Sequence, residues 1–424
     1  MVHLDERSAV RRLFDRLGFG PRPGELDAAA SRGFAATVDT LLSPAGSDAG
    51  AGATPLPRLP AEPARPGKDP AARKQLLASE ATLLTWWLDR LAAADQPLRE
   101  RLTWFWHGHF ATSEQKVRSP RLMLRQNETF RALGLAGFGA LAHALVVDPA
   151  MLIWLDGGQN KAGSPNENLA REFMELFALG IGHYTETDVR EAARALTGWT
   201  VNRASGTARL VPRRQDHGVK TVLGATGDLD ATSYVDAVLA RPDSPRFVVS
   251  RLWFRLVSAA PPPPDVVDRL AAAYGPERDV TAVLRAITKE PAFTDSATTL
   301  VKQPVEWLTG LLRALGLRAS ALPAAQLIAG LRAMGQVPFL PPNVGGWPSG
   351  TAWLTTGAAL ARLRVAELVA QHADLSGLGD PAAVAARLGI TFGPRTTAAF
   401  GPVAHDPRQL LAVAACAPEY VVST

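Results

Sequence analysis

The chain has 424 residues, 47% hydrophobic and 20% charged, with a net charge of +5 and one cysteine, Cys416. That apolar fraction over this length can bury a large core, which excludes a disordered tail protein. One cysteine excludes an intramolecular disulfide and any thiolate cluster, so a metal would need His, Asp, Glu or carbonyl ligands. The basic residues are mostly Arg, and 45 of them against 40 acidic ones, spread thinly, leave no footprint for nucleic acid. No run of about 18 apolar residues occurs, so no membrane span is expected. From Met1 the sequence turns amphipathic at once, without a basic segment followed by an apolar one, and a soluble cytoplasmic protein is the expectation. Length alone suits two or three domains.

In chain order, helices are predicted over 6–17 and 24–42, separated by a Gly/Pro cluster in which Pro23 can start the second. Residues 43–70 are Pro, Gly, Ala and Ser without periodicity and read as a flexible insertion. Helical spacing returns over 71–94, from Pro97 to about residue 109, over 121–133 and over 138–147. Residues 151–156 fit a short strand or a turn, and 157–165 a loop. Helices follow over 166–179 and 187–197, then spacing fails over 200–230, where Thr, Val, Arg and Gly suit a small β-hairpin. Helical patterns resume over 230–240, 245–257, 265–274, 280–289, 304–315, 324–334, 353–373, 380–388 and 407–415. The fold class is therefore mostly α, a large multi-helix unit with a small irregular or hairpin insertion near 200–230. It lacks the alternating strands, phosphate loop and nucleophile elbow of nucleotide-binding or hydrolase sheets.

On a helical wheel of 166–179, Asn168, Arg171, Glu172, Glu175 and Leu179 share a narrow sector while Leu169, Phe173, Met174, Leu176 and Phe177 fill most of the rest. Such a helix is largely buried, so its polar stripe meets either water or a polar cavity. In a cavity, Glu172 and Glu175 need a cation, supplied by Arg171 or a metal; otherwise the stripe is exposed or ion-paired. A short turn makes the next helix an antiparallel neighbour, so Glu191 and Arg194 either join the same network or form an ion-pair lock.

The run Trp104-Phe105-Trp106-His107-Gly108-His109-Phe110 is the most unusual. Two His one residue apart face the same side of an extended chain but diverge on a helix, so joint chelation requires the helix to end near Gly108. His217 sits in a polar turn beside Asp216, suited either to a site or to an ordinary basic turn. The stretch from Pro338 to Gly350 is too rich in turn formers for regular structure, and presents Asn343 and Trp347 either to a sugar or other flat ligand or as a loop anchor.

These segments resemble one bacterial family, domain of unknown function 1800. The matching stretches are Leu17-Gly18-Phe19-Gly20-Pro21, Leu98 to Phe110, Asp148-Pro149-Ala150-Met151-Leu152, Pro165 to Gly180, Tyr184 to Trp199, Asp216-His217-Gly218 with Lys220-Thr221, and Pro341 to Gly350. The resemblance spans almost the whole chain and implies one helical family unit over 1–424. It also implies a partner of the domain of unknown function 1501 family, which looks like a sulfatase or phosphatase relative. Gly108 stands where Asn is common in the family and Phe177 where His is common, so no ligand set can use a side chain at 177.

The leading expectation is a metal-dependent hydrolase or oxidoreductase whose buried polar pocket joins His107, His109, His217 and Glu172 around Zn, Mn or Fe. Glu172, Glu175, Arg171 and Arg194 would then be catalytic, with Asn168, Asn343 and Trp347 on the substrate. The alternatives are a non-catalytic helical scaffold, whose polar residues lock helices together, and a carbohydrate-binding partner of a sulfatase- or phosphatase-like protein.

Overall fold

The computed structural model describes residues 2–61 and 69–424. Its helices start where backbone chemistry asks. Asp5, Ser119, Asp148, Thr185, Asp230, Asp279 and Asp380 each accept a bond from the N–H three residues on, satisfying a donor the helix cannot. Proline opens Pro70–Ala93, Pro97–His109, Pro120–Leu133 and Pro304–Leu315, where its missing N–H costs nothing. The fold is mostly α: among the described residues, twenty-four α-helices and three two-stranded antiparallel sheets. No helix of the described residues is long and apolar enough to cross a membrane.

Several elements differ from the sequence reading for local reasons. The helix expected over 24–42 is two, Glu25–Arg32 and Phe34–Leu42, broken at Gly33, whose φ of 91° only glycine adopts readily. Of residues 151–156, expected as a short strand or a turn, the first four belong to the helix Pro149–Trp154, which Asp148 caps, and Leu155 and Asp156 form the turn after it. The 200–230 region holds two hairpins: Trp199–Asn202 with Thr207–Leu210, and Lys220–Val222 with Ala225–Gly227. In the 43–70 segment, expected to lack folded elements, Ala49–Gly52 form a helical turn. Asp48 there accepts N–H groups of Ala51, Asp95 and Gln96, and the Thr54 carbonyl accepts from Trp86 and Arg90. Residues 62–68 of that segment lie outside the described residues.

Buried apolar side chains form two bodies. One gathers Glu6–Arg16, Phe138–Val146, the 168–178 helix and Asp243–Leu256; the other gathers Pro70–Ala93, Pro304–Leu315, Thr356–His372 and Pro407–Ala415. Pro97–His109 runs between them, giving Leu98, Leu102, Phe105 and Trp106 to the first and Trp104 to the second. Two of its charges, Glu100 and Arg101, are buried with it. Glu100 accepts from Arg131 Nε (2.6 Å) and Nη2 (2.9 Å) and from Arg90 Nε (2.7 Å). Burial alone would raise its carboxyl, but Arg131 and Arg90 outweigh that and hold it below the usual range. On the next residue, Arg101 Nη1 lies 2.6 Å from Glu306 Oε1.

The first helix works as a staple. Arg12 donates to the Phe293 and Asp295 carbonyls, Arg11 to those of Leu388 and Gly389, and Arg16 to those of Leu256 and Val257 and to Ser423 Oγ and O. Ser423 itself is held in the strand pair Leu300–Val301 with Val422–Ser423.

Asp148 caps its helix from a fully buried position and accepts from Gln126 Nε2 (2.7 Å). Burial pushes its carboxyl up from 3.8 to about 6, against the bonds from Met151 and Gln126 that favour the anion. The folded chain therefore holds this proton more tightly than the unfolded one. The stabilising contribution is complete below pH about 4 and is lost as pH rises through about 6. Asp148→Asn, which keeps a capping oxygen, is expected to flatten the dependence of the urea midpoint on pH across that window; an unchanged slope would remove Asp148 as its source.

Candidate functional site

The helix Pro97–His109 does not end at Gly108 but continues through it, so His107 and His109 diverge and do not chelate together. His107 enters an aromatic shell of Trp87, Trp104, Phe130, Phe339 and Trp347, with ring centroids 5.2–6.5 Å away. Its Nε2 accepts the Phe339 N–H (3.0 Å), which leaves the ring proton on Nδ1. His109 has the opposite tautomer. Its Nε2 lies 2.8 Å from the Phe177 carbonyl, an acceptor only, so Nε2 donates, and Nδ1 is buried without a partner. Burial holds both imidazoles down at about 3, assisted at His109 by Arg251 and Arg255 and opposed there by the Phe177 carbonyl. Both rings are neutral packing elements at ordinary pH.

The Phe177 carbonyl is available because of the helix that carries it. The segment expected as one helix over 166–179 is α over Asn168–Glu172 and π over Phe173–Ala178. At its end the last carbonyls have no helical donor, and His109 supplies one. The wider turn falls within the Glu172–Glu175 stripe, and such insertions often accompany function.

The stripe meets polar partners of its own. Arg171 grips Glu186 with two bonds of 2.7 Å and reaches Glu167 at 3.1 Å. Glu175 accepts the Tyr184 hydroxyl, which together with burial raises the phenol. Glu172 is half-buried with no hydrogen-bond or ion-pair partner among the described residues. Burial first, and Glu175 second, raise its carboxyl. Arg194 is engaged elsewhere: it binds Asp216 through Nε (2.9 Å) and Nη2 (3.1 Å), and Glu191 through Nη1 (2.8 Å). Glu191 also accepts the Thr221 N–H and Asp188 the Leu223 N–H, so the helix Glu186–Ala195 is laced to the second hairpin.

The other expected site residues are dispersed. His217 is exposed and pairs with Asp228 (3.3 Å), which also takes the buried Lys220 ammonium (2.7 Å). Asn168 donates to Asp156 (3.3 Å), and Asn343 accepts the Gly345 N–H within its own turn. Trp347 cannot present a face to a sugar: it is 4% exposed and stacked on Trp104 at 5.3 Å. Its carbonyl accepts from Arg255, and the neighbouring Gly346, at φ 80°, lies so close to the helix end that an added Cβ would come 2.2 Å from the Gly108 carbonyl oxygen. Among the described residues no group of three or more His, Cys, Asp or Glu side chains is arranged to hold a metal ion. The sequence reading missed Glu100, Arg101, Arg131 and Glu306, although a Glu-Arg pair inside the apolar run from Leu98 to Phe110 signals buried, partnered charge.

Helical architecture and motif residues held in one another's bonds define a helical protein whose motifs knit the fold. The chain belongs to the family described as protein of unknown function (DUF1800), whose model matches residues 12–422. No curated protein and no solved structure matches it.

Two outcomes are expected. Both His107 and His109 resist protonation in the folded chain while the unfolded chain takes up protons near pH 6.5, so their contribution is present above that pH and lost as pH falls toward about 3. Imidazole NMR signals for both should stay in the neutral state from pH about 8 to 5, with Nδ1–H at His107 and Nε2–H at His109; a titration within that range contradicts their placement. Gly346→Ala should destabilise by about 2 kcal/mol or more, read from chemical denaturation, since it combines a positive φ with a backbone overlap.

Proposed function

We propose that the chain is a non-catalytic helical scaffold that acts by binding, and that its motif residues serve to fasten helices and loops. The observation that supports this most is the commitment of the reactive side chains. His107 and His109 are neutral and bonded to backbone groups, Glu175 is taken by Tyr184, and Arg171 and Arg194 each hold two carboxylates. A general acid or base needs a pKa near working pH and access to its substrate, and neither buried imidazole has them. A partner of the domain of unknown function 1501 family, which the family resemblance implies, is the natural candidate for what the scaffold holds.

A second reading, an acid–base enzyme with or without Zn, Mn or Fe, rests on Glu172. Its carboxyl is half-buried, raised and unpartnered among the described residues, the profile of a working carboxylic acid. One pair of variants separates the readings. On the scaffold reading, Arg194→Ala lowers stability by about 1 kcal/mol and loosens the second hairpin, while Glu172→Gln leaves partner capture and melting unchanged. Stoichiometric Zn, Mn or Fe in protein purified without a His tag, or an activity abolished by Glu172→Gln at unchanged melting temperature, would replace the scaffold by the enzyme.

A further inference from the structure

Residues 199–215 contain Arg203, Arg209, Arg213 and Arg214 and no acidic residue. The hairpin of 199–210 and the turn Pro212–Arg214 that follows it stand beside the end of Pro149–Trp154 and the turn Gly157–Gln159, leaving a cleft of about 810 Å3 between them. Among the described residues, the four arginines and Lys116 line it against one carboxylate, Asp156, which is already ion-paired with Lys116 at 2.8 Å. Arg203 donates to the Val117 carbonyl (2.7 Å) and Arg214 to the Gly158 carbonyl (3.4 Å). Carbonyl oxygens steady a guanidinium without cancelling its charge. Arg214 Nε is buried without a partner, and the Arg209 and Arg213 side chains have none among the described residues.

Four cations lining one cleft, with no counter-charge left over among the described residues, repel one another and focus a positive field into it. Bidentate guanidinium forks match the oxygens of phosphate, sulfate and carboxylate groups. The Gln159 amide and Asn202 Nδ2, also in the lining and without partners among the described residues, suit hydroxyl groups. No aromatic ring lines the cleft, so it lacks the platforms on which nucleobases stack. Its volume is that of a small-ligand site.

We propose that this cleft binds a small polyanion bearing phosphate or sulfate groups on a hydroxyl-rich frame, that is, a phosphorylated or sulfated sugar. The inference stands on residues separate from the helix locks, so it does not depend on the scaffold reading. The test is calorimetric titration of the full chain, at low and at physiological salt, with a heparin-derived tetrasaccharide, inositol hexakisphosphate, neutral maltotetraose and single-stranded oligothymidylate. Expected is salt-sensitive binding of at least one of the two sugar-like anions, the stronger of them telling sulfate from phosphate, with no binding of maltotetraose. The double variant Arg209→Gln/Arg213→Gln should weaken it by about tenfold or more at an unchanged melting curve, since both side chains are exposed. The control Arg73→Gln/Lys74→Gln, on the exposed start of Pro70–Ala93, should leave it unchanged. Absence of binding by both anions, equal loss in the control, or tighter binding of oligothymidylate would overturn the proposal.

Discussion

The rest of the structure depends on burying one helix almost entirely, with Arg99 its one exposed side chain. Pro97–His109 carries three aromatic residues and two histidines that must leave water, and it brings Glu100 and Arg101 with them. Taking a charge out of water costs several kcal/mol unless a partner and further hydrogen bonds replace the lost hydration. The two charges point to different partners, Glu100 to Arg90 and Arg131, Arg101 to Glu306. Each pair therefore ties this helix to a different neighbour: Pro70–Ala93 and Pro120–Leu133 on one account, Pro304–Leu315 on the other. Because the same helix feeds both apolar bodies, these ion pairs sit where the two bodies meet.

The histidine motif belongs to the same economy of satisfaction. A buried imidazole has one donor and one acceptor to place, and here each ring gives a different nitrogen to a different backbone group. His107 receives the loop that carries Phe339, and His109 closes the C-terminal end of the π segment. One turn of helix thus organises two remote irregular segments, which regular secondary structure could not have fastened to each other. Trp347 and Gly346 complete the fit from the loop side: the ring fills the space over Trp104, and the missing side chain lets the backbone touch the Gly108 carbonyl.

How much of this was legible in the sequence depends on the range of the interaction. Periodicity located nearly all the long helices, since an amphipathic face is written in consecutive residues, and caps such as Asp148 and Thr185 stand beside what they cap. Gly33 was weaker as a signal, because a glycine inside a helical pattern reads equally as a tolerated residue or a break. The candidate site was legible only as a set of unusual residue types. That Glu172, Glu175, Arg171 and Arg194 lie on polar stripes could be read; that Arg194 turns to Asp216 and Arg171 to Glu186 could not, because those choices are made by tertiary placement. His107, His109, His217 and Glu172 were expected together because their chemistry is alike, yet helix continuation through Gly108 sends the first two apart and the exposed segment between the two hairpins carries the third. The basic cleft escaped notice because its charge is modest over the whole chain and becomes concentrated only when the hairpin folds beside Gly157–Gln159.

Arg16 gives the fold a temporal dimension. Its guanidinium is held by the Leu256 carbonyl, 240 residues along the chain, by that of Val257, and by Ser423, 407 residues along, so it gains its full set of acceptors only when Val422–Ser423 pairs with Leu300–Val301. Contacts of such sequence separation close long loops and form slowly, so the helix Glu6–Arg16 obtains its complete set of partners only with the long-range docking of both segments.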